Sequence, residues 1–193
     1  MATTFTRAHG NTAVPERLAG DGRLEQVGGR PWTDVVGLAT GYGKTFRVSA
    51  SPDESRPLHS NWFHIAIPTI TRLADRDMFL ENFYFFFTSD SRSGGQPHTV
   101  FVSQIDVWDG STRIIDGGPM PDAFSGNWAS PREEWVGPTR VTNTFSPRNP
   151  AGSNTRWQIF TALSLSIGVA AVAGSGNITF HSAGATWTDR QQG

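Results

Sequence analysis

The chain has 193 residues, of which 37% are hydrophobic and 17% charged, with 21 glycines, 12 prolines and no cysteine. The lack of cysteine excludes disulfides, thiolate metal sites and cysteine nucleophiles, and a net charge of −1 with scattered basic residues leaves no electrostatic footprint for nucleic acid. This length suits one all-β domain, and low charge with many turn formers suits short strands joined by loops.

In chain order, Met1 to Asn11 carry one arginine and no apolar run, so no secretory leader is visible and a cytoplasmic protein is the default expectation. Residues 1–22 read as an arm, with the polar stretch Arg7–Gly22 either ordered or a frayed end. Leu24–Val27 and Trp32–Gly37 are short strand candidates, and Thr45–Ser51 is a stronger one. In Asn61–Thr69 the chain alternates, with Trp62, His64 and Ala66 on one face, Phe63, Ile65 and Ile67 on the other, and Pro68 at its close. Phe79–Thr88 places Phe79, Phe83, Phe85 and Phe87 in one register and predicts a central strand covered on both faces.

Thr99–Trp108 and Ser111–Asp116 flank Asp109-Gly110, a dipeptide suited to a hairpin turn with two positive φ angles. Gly117–Pro138 and Ser146–Asn154 read as long loops, because Pro, Gly, Asn and Ser cluster there without periodicity. Thr139–Phe145 and Ile178–Trp187 are further strands, and residues 189–193 read as a tail. The longest alternation runs from Trp157 to Val169 and predicts a central strand. Ile159–Gly174, the most apolar stretch, overlaps it but has three hydroxyl residues and two glycines and is too short for a membrane span. The sum is a two-sheet antiparallel β-sandwich, jelly-roll-like, of about 8–10 strands in a single domain.

Five segments recur together in a known pattern. They are His9-Gly10, the run Ser60 to Thr69 (SNWFHIAIPT), Val107-Trp108-Asp109-Gly110, Leu165 to Val169, and Ile178 to Ala185 (ITFHSAGA). In this order, over roughly His9 to Trp187, they resemble a family of small bacterial all-β proteins of unknown function with SNWFHxxIPTP, VxVYDG and ITFxSAGA motifs. Ile70 stands where that family often has a second proline and Trp108 where it has tyrosine, while 40–57 and 126–139 look like insertions. The resemblance implies a fold and no chemistry.

Several chemistries can be weighed from the residues. Gln104-Ile105-Asp106-Val107-Trp108-Asp109 has the outline of a retaining glycosidase strand, but Gln104 stands at the nucleophile position and Asp109 at a turn, so the required carboxylate pair is missing. Asp106 and Arg113 suit a cross-strand ion pair. Five histidines raise a metal or acid–base question. His59 and His64 would face opposite ways in one strand, whereas His64 and His181 from distant strands could share a pocket. Glu133 and Glu134 are adjacent and diverge. No phosphate loop, dinucleotide fingerprint, nucleophile elbow or zinc-protease motif occurs, and nothing points to a cofactor.

Seven tryptophans remain to be explained, and Trp128 and Trp135 lie in the loop-rich region beside Asn127 and Glu133. Exposed rings with polar neighbours stack sugars, so these four residues are the expected ligand site of a non-enzymatic binding module for glycan or another small polar ligand. One alternative is a self-assembling homo-oligomer, drawn from the long alternating strand and low charge. The other is an enzyme with a pocket around His64 and His181.

Overall fold

The computed structural model describes residues 3–15, 37–49, 60–90, 100–119, 124–136, 139–146, 157–171 and 175–189. The first strands are β1 (Thr3–His9), β2 (Val14–Pro15), β3 (Gly37–Thr40), β4 (Gly43–Ser49) and β5 (Ser60–Ile67), with a 3-10 turn at Gly10–Thr12 between β1 and β2. Next come β6 (Arg72–Leu73), β7 (Arg76–Asp77), β8 (Phe79–Ser89), β9 (Val100–Asp109) and β10 (Thr112–Pro119). The last are β11 (Asn127–Trp128), β12 (Glu133–Val136), β13 (Thr139–Thr142), β14 (Thr144–Phe145), β15 (Leu163–Ala171) and β16 (Ser175–Thr188). Leu24–Val27, Trp32–Val36, His59, His98 and most of Ser146–Asn154 lie outside the described residues.

A seven-stranded sheet runs β11-β8-β16-β4-β3, with β1 also on β16 and β14 on β8. A five-stranded sheet runs β10-β9-β15-β5-β2, and β12-β13 and β6-β7 form two-stranded ribbons. The long strands divide between the main sheets, with β4, β8 and β16 in the first and β5, β9, β10 and β15 in the second. Each sheet therefore buries one face against the other, which makes an antiparallel sandwich. Among the described residues no helix is long and apolar enough to cross a membrane.

Phe63 of the five-stranded sheet packs 4.7 Å from Phe46 and 5.3 Å from Phe180 of the other, joining the layers through tilted rings. Phe83, Phe85, Phe87 and Phe124 continue this core. Fully burying a side chain of this size contributes roughly 1.5–3 kcal/mol, so such contacts set the sandwich's stability. The alternation in Ser60–Ile67 is as expected, with Phe63, Ile65 and Ile67 buried and the strand ending before Pro68.

Four expectations need correction. Thr3–His9 of the expected arm is a sheet strand, since β1 pairs with β16 over seven residues, from Thr3↔Thr188 to His9↔Ser182. In β8 the ladder steps from Trp187↔Leu80 to Thr186↔Asn82, so Glu81 is an extra residue and Leu80, not Phe79, takes the buried place beside Phe83. Gly117–Pro138 is not wholly loop, since it holds the end of β10, all of β11 and β12, and a turn between them. The fourth concerns Trp157–Val169, whose regular strand begins only at Leu163.

Asp109 explains that late start. Its carboxylate accepts the backbone N–H groups of Phe160 at 2.8 Å, Thr161 at 2.7 Å and Ala162 at 3.1 Å, so these amides bond a side chain where a ladder would have used a neighbouring strand. Asp109 itself ends β9. The two-residue connection is Gly110-Ser111, and of these only Gly110 has a positive φ, at +57°. The hairpin is as expected, but glycine takes the first central position, the pattern of a type II′ turn. β15 is paired on both edges, by β5 and β9, so self-assembly has no free edge to use there.

Asp109→Ala removes three amide acceptors at once and is expected to cost about 2 kcal/mol, whereas Asp109→Asn keeps one acceptor oxygen and is expected to cost about half as much. Urea unfolding midpoints of the two variants check this order.

Candidate functional site

Of the four residues of the expected loop site, Trp128 is packed into the core. Trp128 is 0% exposed. Its ring meets Phe124 edge-on at 4.6 Å and stacks on Phe87 at 6.4 Å, and its indole N–H donates to the Ser125 carbonyl at 2.8 Å. The Arg132 guanidinium lies 4.9 Å from its ring centroid, and Arg132 also pairs with Glu134. A ring so enclosed offers no platform for a sugar. The Asn127 side chain accepts the Ala129 N–H at 3.1 Å in a local turn, while Glu133 is exposed at the start of β12, opposite Thr142. Trp135 lies on β12 opposite Arg140, and its side chain is outside the described residues.

Asn143, between β13 and β14, holds this region together. It is buried, donates from Nδ2 to the carbonyls of Trp128 at 3.1 Å and Ser130 at 2.8 Å, and accepts the Arg132 N–H on Oδ1 at 2.9 Å. Three tertiary bonds to backbone satisfy most of a buried amide's capacity. Asn143 thereby pins the turn that carries Trp128.

His64 and His181 do not share a pocket. His64 lies on β5 with Nδ1 2.8 Å from Ser166 Oγ on β15, and Asp106 on β9 stands opposite Ser166 in the next register. The order His–Ser–Asp along this row puts serine in the middle, whereas a hydrolytic triad needs the imidazole there. Asp106 is instead occupied by the Gln104 amide at 3.2 Å and by Arg113 at 3.6 Å, the latter being the expected cross-strand pair. His181 belongs to the other sheet. Among the described residues no three His, Cys, Asp or Glu side chains group as metal ligands.

His181 instead lines a cleft that sequence reasoning did not assemble. The register of β16 against β8 steps from Phe180↔Phe87 to Ser182↔Phe86, so His181 is an extra bulge residue. At the same point the other edge of β16 changes partner, from β4, which ends its pairing at Phe180↔Lys44, to β1, which begins at Ser182↔His9. The sheet forks here. Arg7 and His9 from β1, Tyr42 from the β3-β4 turn, and His181 and Ser182 from β16 line an open cleft of about 430 Å³ in the fork.

Close packing sets the shape of the fork. A Cβ on Gly10 would lie 1.7 Å from the Phe180 carbonyl oxygen, and one on Gly43 would lie 2.4 Å from it. Only glycine lets both turns press on this carbonyl. That is the physical basis of the His9-Gly10 pair: the glycine seats the chain and the histidine before it faces the cleft.

The two imidazoles tie down the β3-β4 turn. His9 Nδ1 accepts the Asn11 N–H at 3.2 Å, which leaves Nε2–H to donate to the Gly41 carbonyl at 3.3 Å. His181 Nδ1 lies 3.1 Å from the Tyr42 carbonyl, which only accepts, so Nδ1 carries the hydrogen and Nε2 accepts from Thr88 Oγ1 at 3.2 Å. The Tyr42 ring is 67% exposed and tilted 34° to the His181 ring at 6.3 Å. Arg7 Nη2 donates to Ser182 Oγ at 3.1 Å.

The sequence held two signals for this site. Phe5, Arg7 and His9 alternate on one face of β1, and His181-Ser182 sits within the ITFHSAGA motif. The exposure of Tyr42 had no sequence signal, because tyrosine after glycine in a turn serves equally well as a packing residue.

Asn143→Ala is expected to cost about 3 kcal/mol and to speed hydrogen exchange at the Arg132 amide, since three backbone partners lose their bonds together. Gly10→Ala is expected to cost about 3 kcal/mol, because the methyl group cannot coexist with the Phe180 carbonyl. Thermal unfolding measures the two costs and amide exchange the local effect. Comparison of the chain with family models, curated proteins and solved structures finds no match.

Proposed function

We propose that the protein is a non-enzymatic binding module for a glycan or similar polar ring, and that its site is the forked-sheet cleft of Arg7, His9, Tyr42, His181 and Ser182. The observation that carries this reading is the Tyr42 ring, largely exposed at the wall of a cleft whose other lining groups are polar. Sugars present a C–H face to aromatic rings and hydroxyls to hydrogen-bonding groups, and this cleft offers both on one side. Neighbouring rings extend the apolar part: Tyr84 and Phe86 on β8 stack at 4.7 Å and are half-buried, and Phe5 on β1 is exposed.

The absence of a catalytic arrangement at the cleft follows from its hydrogen bonds. Both nitrogens of each imidazole are engaged, and among the described residues no carboxylate lines the cleft to serve as acid, base or nucleophile. The groups present can orient a ligand, and among the described residues they have no proton-transfer partner of matched role.

A glycan array followed by calorimetry on its hits tests the reading. Tyr42→Ala is expected to lower affinity about tenfold, the loss of one aromatic stacking contact, while leaving the melting temperature within about 2 °C of the parent protein. Binding undiminished in Tyr42→Ala, or lost instead when Arg132 or Glu134 is replaced, would overturn it.

A further inference from the structure

We infer that the ligand of this cleft is an acidic sugar, held by its carboxylate on Arg7 and Ser182; the inference rests on the binding reading and adds the ligand's charge. The described lining residues supply one guanidinium, two imidazoles, a phenol and a hydroxyl, with no carboxylate among them. The chain as a whole has a net charge of −1, so a cation with no acid beside it among the described lining residues is a local departure from the average surface.

Arg7 is the centre of that departure. Among the described arginines, Arg72, Arg76, Arg113 and Arg132 each have a carboxylate within ion-pair distance, and Arg47 also has a partner. Arg7 has none among the described residues, and its one hydrogen bond goes to a neutral hydroxyl. A guanidinium has five N–H donors in a planar fork that matches a carboxylate, and one of the five is used here.

Ser182 supplies the second donor. It is 2% exposed, and its Oγ accepts from Arg7. A hydroxyl that accepts from a guanidinium still has its own hydrogen to give, and no acceptor within the described residues takes it. Arg7 Nη and Ser182 O–H thus form an adjacent pair of donors on the cleft floor, with the Tyr42 ring at the wall. A six-membered sugar with a carboxylate on C5 fits this division, with its ring face on tyrosine and its acid group on arginine and serine. Phosphate or sulfate would meet the same donors, because a guanidinium fork pairs with them as it does with a carboxylate, and the probes below distinguish the three.

The test compares methyl glycosides of a neutral hexose with those of the corresponding uronic acid, titrated by NMR or calorimetry into the full chain, with methyl sulfate and inorganic phosphate as further probes. The uronide is expected to bind about tenfold more tightly than the neutral glycoside at low salt. That advantage is expected to shrink on going from about 20 mM to about 300 mM sodium chloride, as screening of an exposed pair requires. Arg7→Gln is expected to abolish the preference and Arg7→Lys to keep part of it. The salt series on the parent protein decides the matter if either variant is unstable.

Equal binding of both glycosides, weakened alike by Tyr42→Ala, would overturn the acidic ligand and leave the binding reading in place. No binding by any glycoside on the array or in titration would overturn both. Binding of methyl sulfate or phosphate as tight as the uronide's would overturn the carboxylate assignment.

Discussion

The contact on which the rest of the site depends is the Phe180 carbonyl pressed between two glycine-bearing turns. Gly10 approaches from the end of β1 and Gly43 from the start of β4, and neither has room for a side chain there. β16 is the strand that both partners share, and it can serve both only by passing from one to the other at this carbonyl. The bulge at His181 follows from that exchange, since one extra residue takes up the offset between the two ladders. The cleft is the space left where the partners diverge.

Elsewhere the fold uses polar side chains to end ladders. Asp109 collects three amides before β15, and Asn143 collects backbone groups from a turn that has no strand to pair with. In both places a single residue replaces several main-chain partners, which lets an irregular segment pack without stranding buried polar groups. The same logic operates at the cleft, where His9 and His181 take the carbonyls of Gly41 and Tyr42. The imidazoles hold the turn that presents Tyr42, so the site's aromatic wall is built by the residues that line its floor.

Much of the sandwich was legible from alternation alone. Ser60–Ile67 buries the residues its period assigns, and the hairpin falls where expected, with its turn one residue later at Gly110-Ser111. The misreadings have a common cause. Alternation of apolar residues continues through Trp157–Ala162 because Ile159 is buried, yet the backbone there is capped by Asp109 and is not laddered. Period two reports which side chains face inward and is silent on what the amides bond. Trp128 was misplaced for the opposite reason. Its surroundings of Asn, Gly, Ser and Pro suggest an exposed loop, and its burial comes from Phe87 and Phe124, which are distant or unremarkable in sequence. The cleft was only half visible, since Arg7 and His9 share a face of one strand but the fork that brings them to His181 is a property of the sheet.

The most direct measurement is an amide chemical-shift map recorded while a glycan identified by array is titrated into the ¹⁵N-labelled protein. A ligand seated in the fork perturbs the backbone of Arg7, His9, Tyr42, His181 and Ser182 and leaves Asn127 to Glu134 unmoved. Perturbations centred on Asn127 to Glu134, with the fork unaffected, would contradict the placement of the site.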